Sequence, residues 1–325
     1  MINCLIIGFG NIGRRHLESL SKSKKKISFY ILEKNLFFLK NFKKKKIINY
    51  DKHNFYFYED LTVINQKEFD LAIFATNSDN RYKLFKFVSS KKKIKNIIFE
   101  KVVFQSIYQF NKALKILNKK KINAWVNCPR RNIYFFKNLK KKIKYSKNFT
   151  MTFEGNNWHM CSNTIHFLDL FFFYIGINKN IKFKTELKNQ LIKSKRSGFY
   201  ETNGKIEVFT KNSCKKLILL DSELNKKNSR LIIEHDNHKI IIIMNNKKNN
   251  VSFYLKNKLT RVATFHMPFQ SQMTLGIFED ILKKNRCELA KIKESFYHHK
   301  LLYSIFANFF KKNLSKKKII NFPIT

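Results

Sequence analysis

The sequence predicts a two-part α/β protein: a doubly wound parallel sheet at the N-terminal end, then an α+β half whose sheet is mainly antiparallel. Three observations carry that expectation. The chain opens on a nearly unbroken apolar run, Ile2–Ile7, as expected of a strand buried on both faces of a parallel sheet. Further apolar runs then alternate with helical patterns as far as Asn127, at lengths that suit crossover connections. Between residues 181 and 265, short runs follow one another with Asn/Lys turns and no helix between them, which marks antiparallel strands.

In order, residues 11–21 read as a helix and Ile27–Leu32 as a second strand. Residues 35–42 suggest a short helix, 55–58 a third strand, 70–75 a fourth, 82–89 a helix and 96–99 a fifth strand. A helix over 105–118 and a short strand over 124–126 complete this half. Residues 132–143 then read as a helix, 149–153 as a strand and 164–175 as an apolar helix. Strands follow over 205–209, 216–220, 230–234, 239–244, 251–255 and 261–265, and helices over 272–284 and 295–310 close the chain. No repeat, low-complexity linker or Pro-rich hinge separates the halves. The change of pattern alone sets the domains at 1–122 and 123–325, with the closing helix free to pack back on the first.

Composition limits the function classes. At 325 residues the chain is long enough for two cores, and its 44% apolar content excludes a disordered protein. The formal charge of +44 taken alone would suggest nucleic acid or an anionic membrane surface. However, the lysines are scattered in short runs along the whole chain and no nucleic-acid motif accompanies them, so they read as solvated faces. Their field would steer anionic ligands toward the protein. Five dispersed cysteines without a Cys-x-x-Cys make neither a disulfide framework nor a zinc signature, so no metal is expected. No apolar run is long enough to cross a bilayer, and the first strand leaves no room for a signal peptide; a reduced, cytoplasmic location is expected.

The segment after the first strand, Gly8-Phe9-Gly10-Asn11-Ile12-Gly13, has the Gly-x-Gly-x-x-Gly spacing that opens a dinucleotide-binding unit. Gly8 would make the tight turn, Gly10 would let the backbone approach a diphosphate, and Gly13 would let the helix lie close on the strand. The free N–H groups and positive dipole end of that helix would hold the anion. Glu33, about 20 positions on, closes the second strand where an acid accepts hydrogen bonds from ribose hydroxyls and repels a 2′-phosphate. That favours NAD, while Lys34, Arg14 and Arg15 keep NADP open. The alternative is a plain surface turn with Glu33 closing a strand end. In a doubly wound sheet, ligands belong at the carboxyl ends of the strands. Three segments leave those ends: Gly8–Gly13, Thr76–Asn80 and Glu100-Lys101.

Two constellations have the makings of a reaction site. Lys101 follows a buried strand and an acid, Glu100, at the place where a nicotinamide would lie; a lysine there can hydrogen-bond a sugar hydroxyl and ease removal of its proton. The plain reading is one more solvated lysine. His166 and Asp169, three apart on the apolar helix, share a face. A histidine facing a cleft suits proton transfer, and a buried histidine satisfied by Asp169 as packing glue is the equal alternative.

These residues, in this order and at these intervals, resemble the Gfo/Idh/MocA oxidoreductases, the group of glucose-fructose oxidoreductase and inositol dehydrogenase. The features are Gly8 to Gly13 with Arg15-His16, then Glu33, Ala75-Thr76, Glu100-Lys101 and Ile165-His166-Phe167-Leu168-Asp169. The resemblance covers most of the chain and implies a Rossmann domain followed by an α+β domain with a large open, mainly antiparallel sheet. It implies cofactor contacts from Gly8, Phe9, Gly10, Asn11, Ile12, Gly13, Glu33, Ala75, Thr76, Asn77 and Glu100. It implies catalytic roles for Lys101 and His166, and oligomers formed through the open sheet. The sequence departs from the family pattern at Val102 and Asn77, where proline is usual, and at Thr164, where glycine is common. Ser162 stands where many members carry an aspartate of the proton relay. Arg130, Arg131, Trp158, Ser162 and Asp169 flank the expected cleft and are similar in style to members acting on surface-polysaccharide sugars. The implied activity is hydride transfer between NAD(P) and a secondary hydroxyl or keto group of a sugar or nucleotide-sugar. The rival reading is a Rossmann-fold sensor that binds a dinucleotide or nucleotide-sugar without turnover.

Overall fold

The structure is a computed structural model and describes residues 1–35, 52–177, 180–212, 214–222, 228–245, 248–315 and 319–325. All but the first residue of the helix expected over 35–42 lies outside the described residues.

Two compact units divide the chain. The first comprises Met1–Pro129, Pro268–Phe296 and Thr325, and the second Arg130–Met267 and Tyr297–Ile324. The first is built on β1 (Ile2–Ile7), β2 (Ile27–Leu32), β3 (Asn54–Tyr58), β4 (Glu68–Phe74), β5 (Lys93–Glu100) and β6 (Asn123–Asn127). These six are parallel neighbours in the order 3-2-1-4-5-6, and Ala290–Lys291 adds a short antiparallel edge beside β6. Strand order reverses between β1 and β4, which opens the crevice where such folds hold ligands. The helices α1 (Asn11–Leu20), α2 (Ser78–Lys91) and α3 (Ile107–Lys119) provide crossovers.

The apolar pattern dictates this arrangement. Cys4 and Ile6 of β1, Phe29 and Ile31 of β2, and Leu71 and Ile73 of β4 are fully buried and form one side of the core. Phe74, Phe85, Phe99, Phe104 and Phe110 are also fully buried, with successive ring centroids 5.1–5.9 Å apart. Each such side chain contributes roughly 1.5–3 kcal/mol by leaving water. Burial also pushes the Cys4 thiol far above its ordinary range, with the Asp70 charge adding to the effect, so it is an inert core group.

The boundary falls at 129/130 in the structure, because β6 pairs with β5 and stays in the parallel sheet. The chain later returns to this unit with the next helix, Gln270–Lys284, whose Ile277, Phe278 and Ile281 join Leu17 and Leu20 of α1 in the core. The amide of Leu275 donates to Ser19 Oγ at 3.0 Å. It is thus this penultimate helix that packs on the parallel-sheet unit; the closing helix, Ile292–Asn313, passes from the first unit to the second at Tyr297.

The second unit holds α4 (Tyr134–Ile143), β7 (Phe149–Gly155), α5 (Met160–Ile175), β8 (Ile181–Leu187), the two-residue strands β9 (Ile192–Lys193) and β10 (Tyr200–Glu201), and six further strands. Those are β11 (Gly204–Thr210), β12 (Lys215–Asp221), β13 (Ser229–His235), β14 (His238–Met244), β15 (Asn249–Leu255) and β16 (Lys258–Phe265). The eight-stranded sheet runs 16-15-14-13-7-12-11-8, antiparallel throughout except for β7 beside β12. Along β7, β12 and β13 buried residues alternate with half-buried ones, the signature of a sheet covered on one face. The cover is α5: Phe149 lies 6.0 Å from Phe171 and 5.6 Å from Tyr174, and Phe153 lies 4.2 Å from Phe167, between ring centroids.

Two helices begin earlier than their apolar pattern suggests. α2 starts at Ser78 rather than 82, and its polar first turn carries Asp79, which favours the dipole. α5 starts at Met160 rather than 164, because an acid from another segment serves its opening turn.

Candidate active site

The glycine turn forms a cradle. Gly8 sits at φ +88°, and a Cβ there would lie 2.8 Å from Thr76 Cγ2 and 2.9 Å from Thr76 N, so the turn presses against the segment leaving β4. A Cβ on Gly13 would lie 2.0 Å from the carbonyl oxygen of Gly8, which only glycine permits. Gly10 is different: nothing lies within 4 Å of its would-be Cβ. As the residue preceding α1, Gly10 offers no side-chain cap, so the helix presents uncapped N–H groups to open space. This arrangement fits a diphosphate.

Glu33 completes the cradle. Its Oε2 accepts from the Phe9 amide at 2.6 Å and its Oε1 from the Asn35 amide at 3.0 Å, which hangs the carboxylate over the glycine turn. Each oxygen retains acceptor capacity for a ribose hydroxyl. Ala75 and Thr76 continue β4 into the crevice; Ala75 N–H donates to Ile7 O at 2.8 Å, and the buried Thr76 hydroxyl has no hydrogen-bond partner in the structure. Exposed Asn77 precedes α2, and Asn11 and Ile12 open α1.

Glu100 closes a buried polar network. His16 Nε2 lies 3.0 Å from its Oε1, while His16 Nδ1 lies 2.9 Å from Thr274 Oγ1. Asn127 Nδ2 donates to the same Glu100 oxygen and, at 3.0 Å, to Gln270 Oε1. Burial alone would raise this carboxyl, but the His16 and Asn127 hydrogen bonds and the charges of His16 and Arg81 hold it below the ordinary glutamate value. The fully buried Arg81 is the clamp behind it. Its Nη1 donates to the carbonyls of Glu100 (2.6 Å), Val102 and Val103 (3.0 Å), and its Nη2 to that of Thr76. One guanidinium thereby joins the turns leaving β4 and β5. Lys101 projects from this clamped turn, and its Nζ donates to the main-chain oxygen of Thr325 at 3.3 Å. The Ser78 amide donates to Thr325 Oγ1 at 3.0 Å.

In the second unit, His166 is half-buried on α5. Asp169, three residues on, is fully buried and accepts from Arg131 Nε at 2.9 Å, with His298 Nδ1 at 3.6 Å from its other oxygen. Arg131 also donates to the Asp169 carbonyl at 3.1 Å, so the two residues form a buried ion pair in which Asp169 Oδ1 accepts no hydrogen bond from the described residues. Arg130 instead lies with its guanidinium carbon 4.0 Å from the Phe167 ring centroid, beside Trp158, whose ring is 5.4 Å from the same phenylalanine. Trp158 Nε1 donates to Leu220 O at 3.0 Å. Ser162 donates its amide to Glu201 Oε2 at 3.2 Å and its hydroxyl to Oε1.

Arg81, Glu201 and Thr325 are absent from the sequence reading. Arg81 stands just before the helix expected over 82–89, one charge in a lysine-rich chain, and Glu201 lies in a two-residue strand with no pattern. His16 did show as part of the motif, though its place between Glu100 and Thr274 did not.

Residues 2–128 match the model of an oxidoreductase family with an NAD-binding Rossmann fold. No curated protein sequence matches the chain. Solved structures match over nearly the whole length. A dehydrogenase (MviM) from Clostridium difficile aligns at 15% identity and TM-score 0.70, covering 94% of this chain and 98% of that one. The transcriptional regulator Gal80p from Kluyveromyces lactis aligns at 12% and 0.72, covering 98% and 94%. An oxidoreductase from Agrobacterium radiobacter in complex with NAD+, L-tartaric acid and magnesium aligns at 13% and 0.69, covering 98% of each chain. Fold and family match together define a protein with an NAD-binding Rossmann domain of the kind found in oxidoreductases. Over residues 2–128 the chain is similar to the Rossmann domain of the Gfo/Idh/MocA family.

The cradle makes a direct prediction. Gly10→Val leaves thermal stability nearly unchanged, within about 0.5 kcal/mol, because its side chain enters open space. It lowers NAD affinity at least about tenfold by filling the diphosphate site. Gly13→Val, which drives a side chain into Gly8, costs about 1–3 kcal/mol or more as well. Thermal melts beside calorimetric NAD titrations separate the two.

Proposed function

We propose that this protein is a cytoplasmic NAD-dependent oxidoreductase that moves a hydride between the nicotinamide and a secondary hydroxyl or keto carbon of a sugar or nucleotide-sugar. The first unit binds the cofactor and the second supplies substrate contacts. The observation that carries the reading is the pairing of a diphosphate cradle with a lysine, Lys101, held at the carboxyl end of β5 by an arginine-clamped turn.

The nicotinamide supplies the redox chemistry. Lys101 orients the substrate oxygen by hydrogen bonding and stabilises negative charge that develops on it. His166 takes the hydroxyl proton on oxidation or returns it on reduction. Arg130 over the face of Phe167 and Trp158 edge-to-face with it offer a cationic and aromatic surface for an anionic or nucleotide-linked sugar. Arg131 and Asp169 support this surface as its buried ion pair. The charge of +44 favours a substrate bearing phosphate or carboxylate, by steering.

Glu33 gives the cofactor preference. Its carboxylate over the glycine turn favours ribose hydroxyls over a 2′-phosphate, so Glu33→Ser lowers NAD affinity about tenfold and brings NADP to near parity in calorimetric titrations. A second copy of the chain covers the uncapped face of the large sheet, where Thr152, Ile218, Ile232 and Ile241 of four adjacent strands lie in one row. Light scattering reads the assembly.

The reading is tested by incubating purified protein and NAD+ or NADH with a panel of sugars, uronates and nucleotide-sugars while following cofactor fluorescence. Net conversion with at least one supports an enzyme. Tight cofactor binding with no conversion across the panel favours the sensor alternative.

A further inference from the structure

The opening turn of α5 is served by a carboxylate from a distant segment. His159, the residue before the helix, sits at φ +60° and makes no capping bond with its side chain. Its place is taken by Glu201 of the β9–β10 ribbon, which is 3% exposed and accepts from both the amide and the hydroxyl of Ser162. A negative charge there is favoured by the helix dipole. Ser162 and His166 are four residues apart, so their side chains lie on one stripe of the helix about one turn apart. The carboxylate that Ser162 holds thus lies about one helical turn, on the order of 5–6 Å along the axis, from the level of the imidazole.

We propose that Glu201 is a positioning residue for His166: docked on the first turn of α5 through Ser162, it fixes the helix end and supplies the negative charge that favours the protonated imidazole. The proposal rests on His166 being the proton partner of the reading above. Ser162 alone carries no charge and cannot bias a histidine in this way. The carboxylate of Glu201, brought in from elsewhere in the chain, does. Burial raises the Glu201 carboxyl above its ordinary value, against the Ser162 hydrogen bonds and the His159 charge, so its charge develops in a pH window above that of an ordinary glutamate.

The titratable groups around this corner are His159, the buried Cys161 and, through Cys161, Asp221 at the end of β12. Around His166, Arg130 lies over the neighbouring Phe167, and Asp169 is held by Arg131 beside His298. All of these are common to the variants compared below, so differences between them report Glu201.

The test is an NMR titration of ring-labelled histidines in the NAD-bound protein, with the His166 signal assigned from a His166→Gln spectrum. Glu201→Gln keeps the shape and one accepting oxygen; Glu201→Ala removes both. The His166 titration midpoint falls by about 0.5–1.5 pH units in each, the range expected for loss of a charge at this distance. Ser162→Ala, which leaves the amide contact, gives a smaller fall. The kcat/KM pH profile of Glu201→Gln moves in the same direction. Midpoints agreeing within about 0.2 units between wild type and a folded Glu201→Gln overturn the proposal. The titration reads His166 whether or not a substrate is turned over, so failure of the enzyme reading is seen separately, as absence of conversion by the wild type.

Discussion

Lys101→Ala and His166→Ala each lower turnover about 10²–10⁴-fold, the range expected for losing a positioned acid, base or charge-stabilising group. NAD affinity stays within about threefold in both, because the cradle proposed for the dinucleotide is the glycine turn with Glu33, apart from either side chain. Lys101→Ala opens no large core cavity, since the Lys101 side chain is only half-buried. Half-buried His166 is likewise replaceable without loss of the helix, whose apolar residues Ile165, Phe167, Leu168 and Leu170 hold it on the sheet. Steady-state kinetics with the substrate found in the panel, set beside calorimetric NAD titrations, reads both quantities. Equal loss of cofactor affinity with turnover of bound substrate unchanged contradicts the assigned roles.

Arg81→Met destabilises the protein by roughly 3–5 kcal/mol, the largest stability effect expected of a single change in the first unit. The methionine fills much of the space but leaves the carbonyls of Thr76, Glu100, Val102 and Val103 without their donor in a site closed to water. A drop of roughly 10 °C in melting temperature follows. Arg81→Lys rescues little, because one ammonium cannot span two turns as a planar guanidinium does. Turnover in surviving Arg81→Lys falls as well, since the clamped turn carries Lys101. A melting shift under about 2 °C for Arg81→Met contradicts the clamp.

What the sequence makes legible is whatever the local backbone dictates. The glycine triplet is readable because each position answers to a neighbour a few residues away or to the strand beside it; Gly13 has no room for a side chain against Gly8, and Glu33 closes the adjacent strand. Strand alternation shows the large sheet for the same reason. Contacts made only when distant segments meet leave no such trace. Glu201 reaches Ser162 from 39 residues away, and the chain around it has neither periodicity nor motif. Arg131 and Asp169, 38 residues apart, each read as cleft groups, and it is their mutual pairing that turns them inward. In a chain with 66 lysines and arginines, Arg81, which joins two turns of the first unit, cannot be told from its solvated neighbours.

Central to the proposed function is hydride transfer between the nicotinamide and a carbon that carries a sugar oxygen, in either direction. The most direct measurement is to incubate the protein with a small-molecule extract and NADH deuterated at nicotinamide C4, then search the products by mass spectrometry and NMR. The expected result is a sugar or nucleotide-sugar product carrying deuterium on the carbon that bears the new hydroxyl, and its loss in Lys101→Ala and His166→Ala. Saturable NADH binding with deuterium in no product contradicts it.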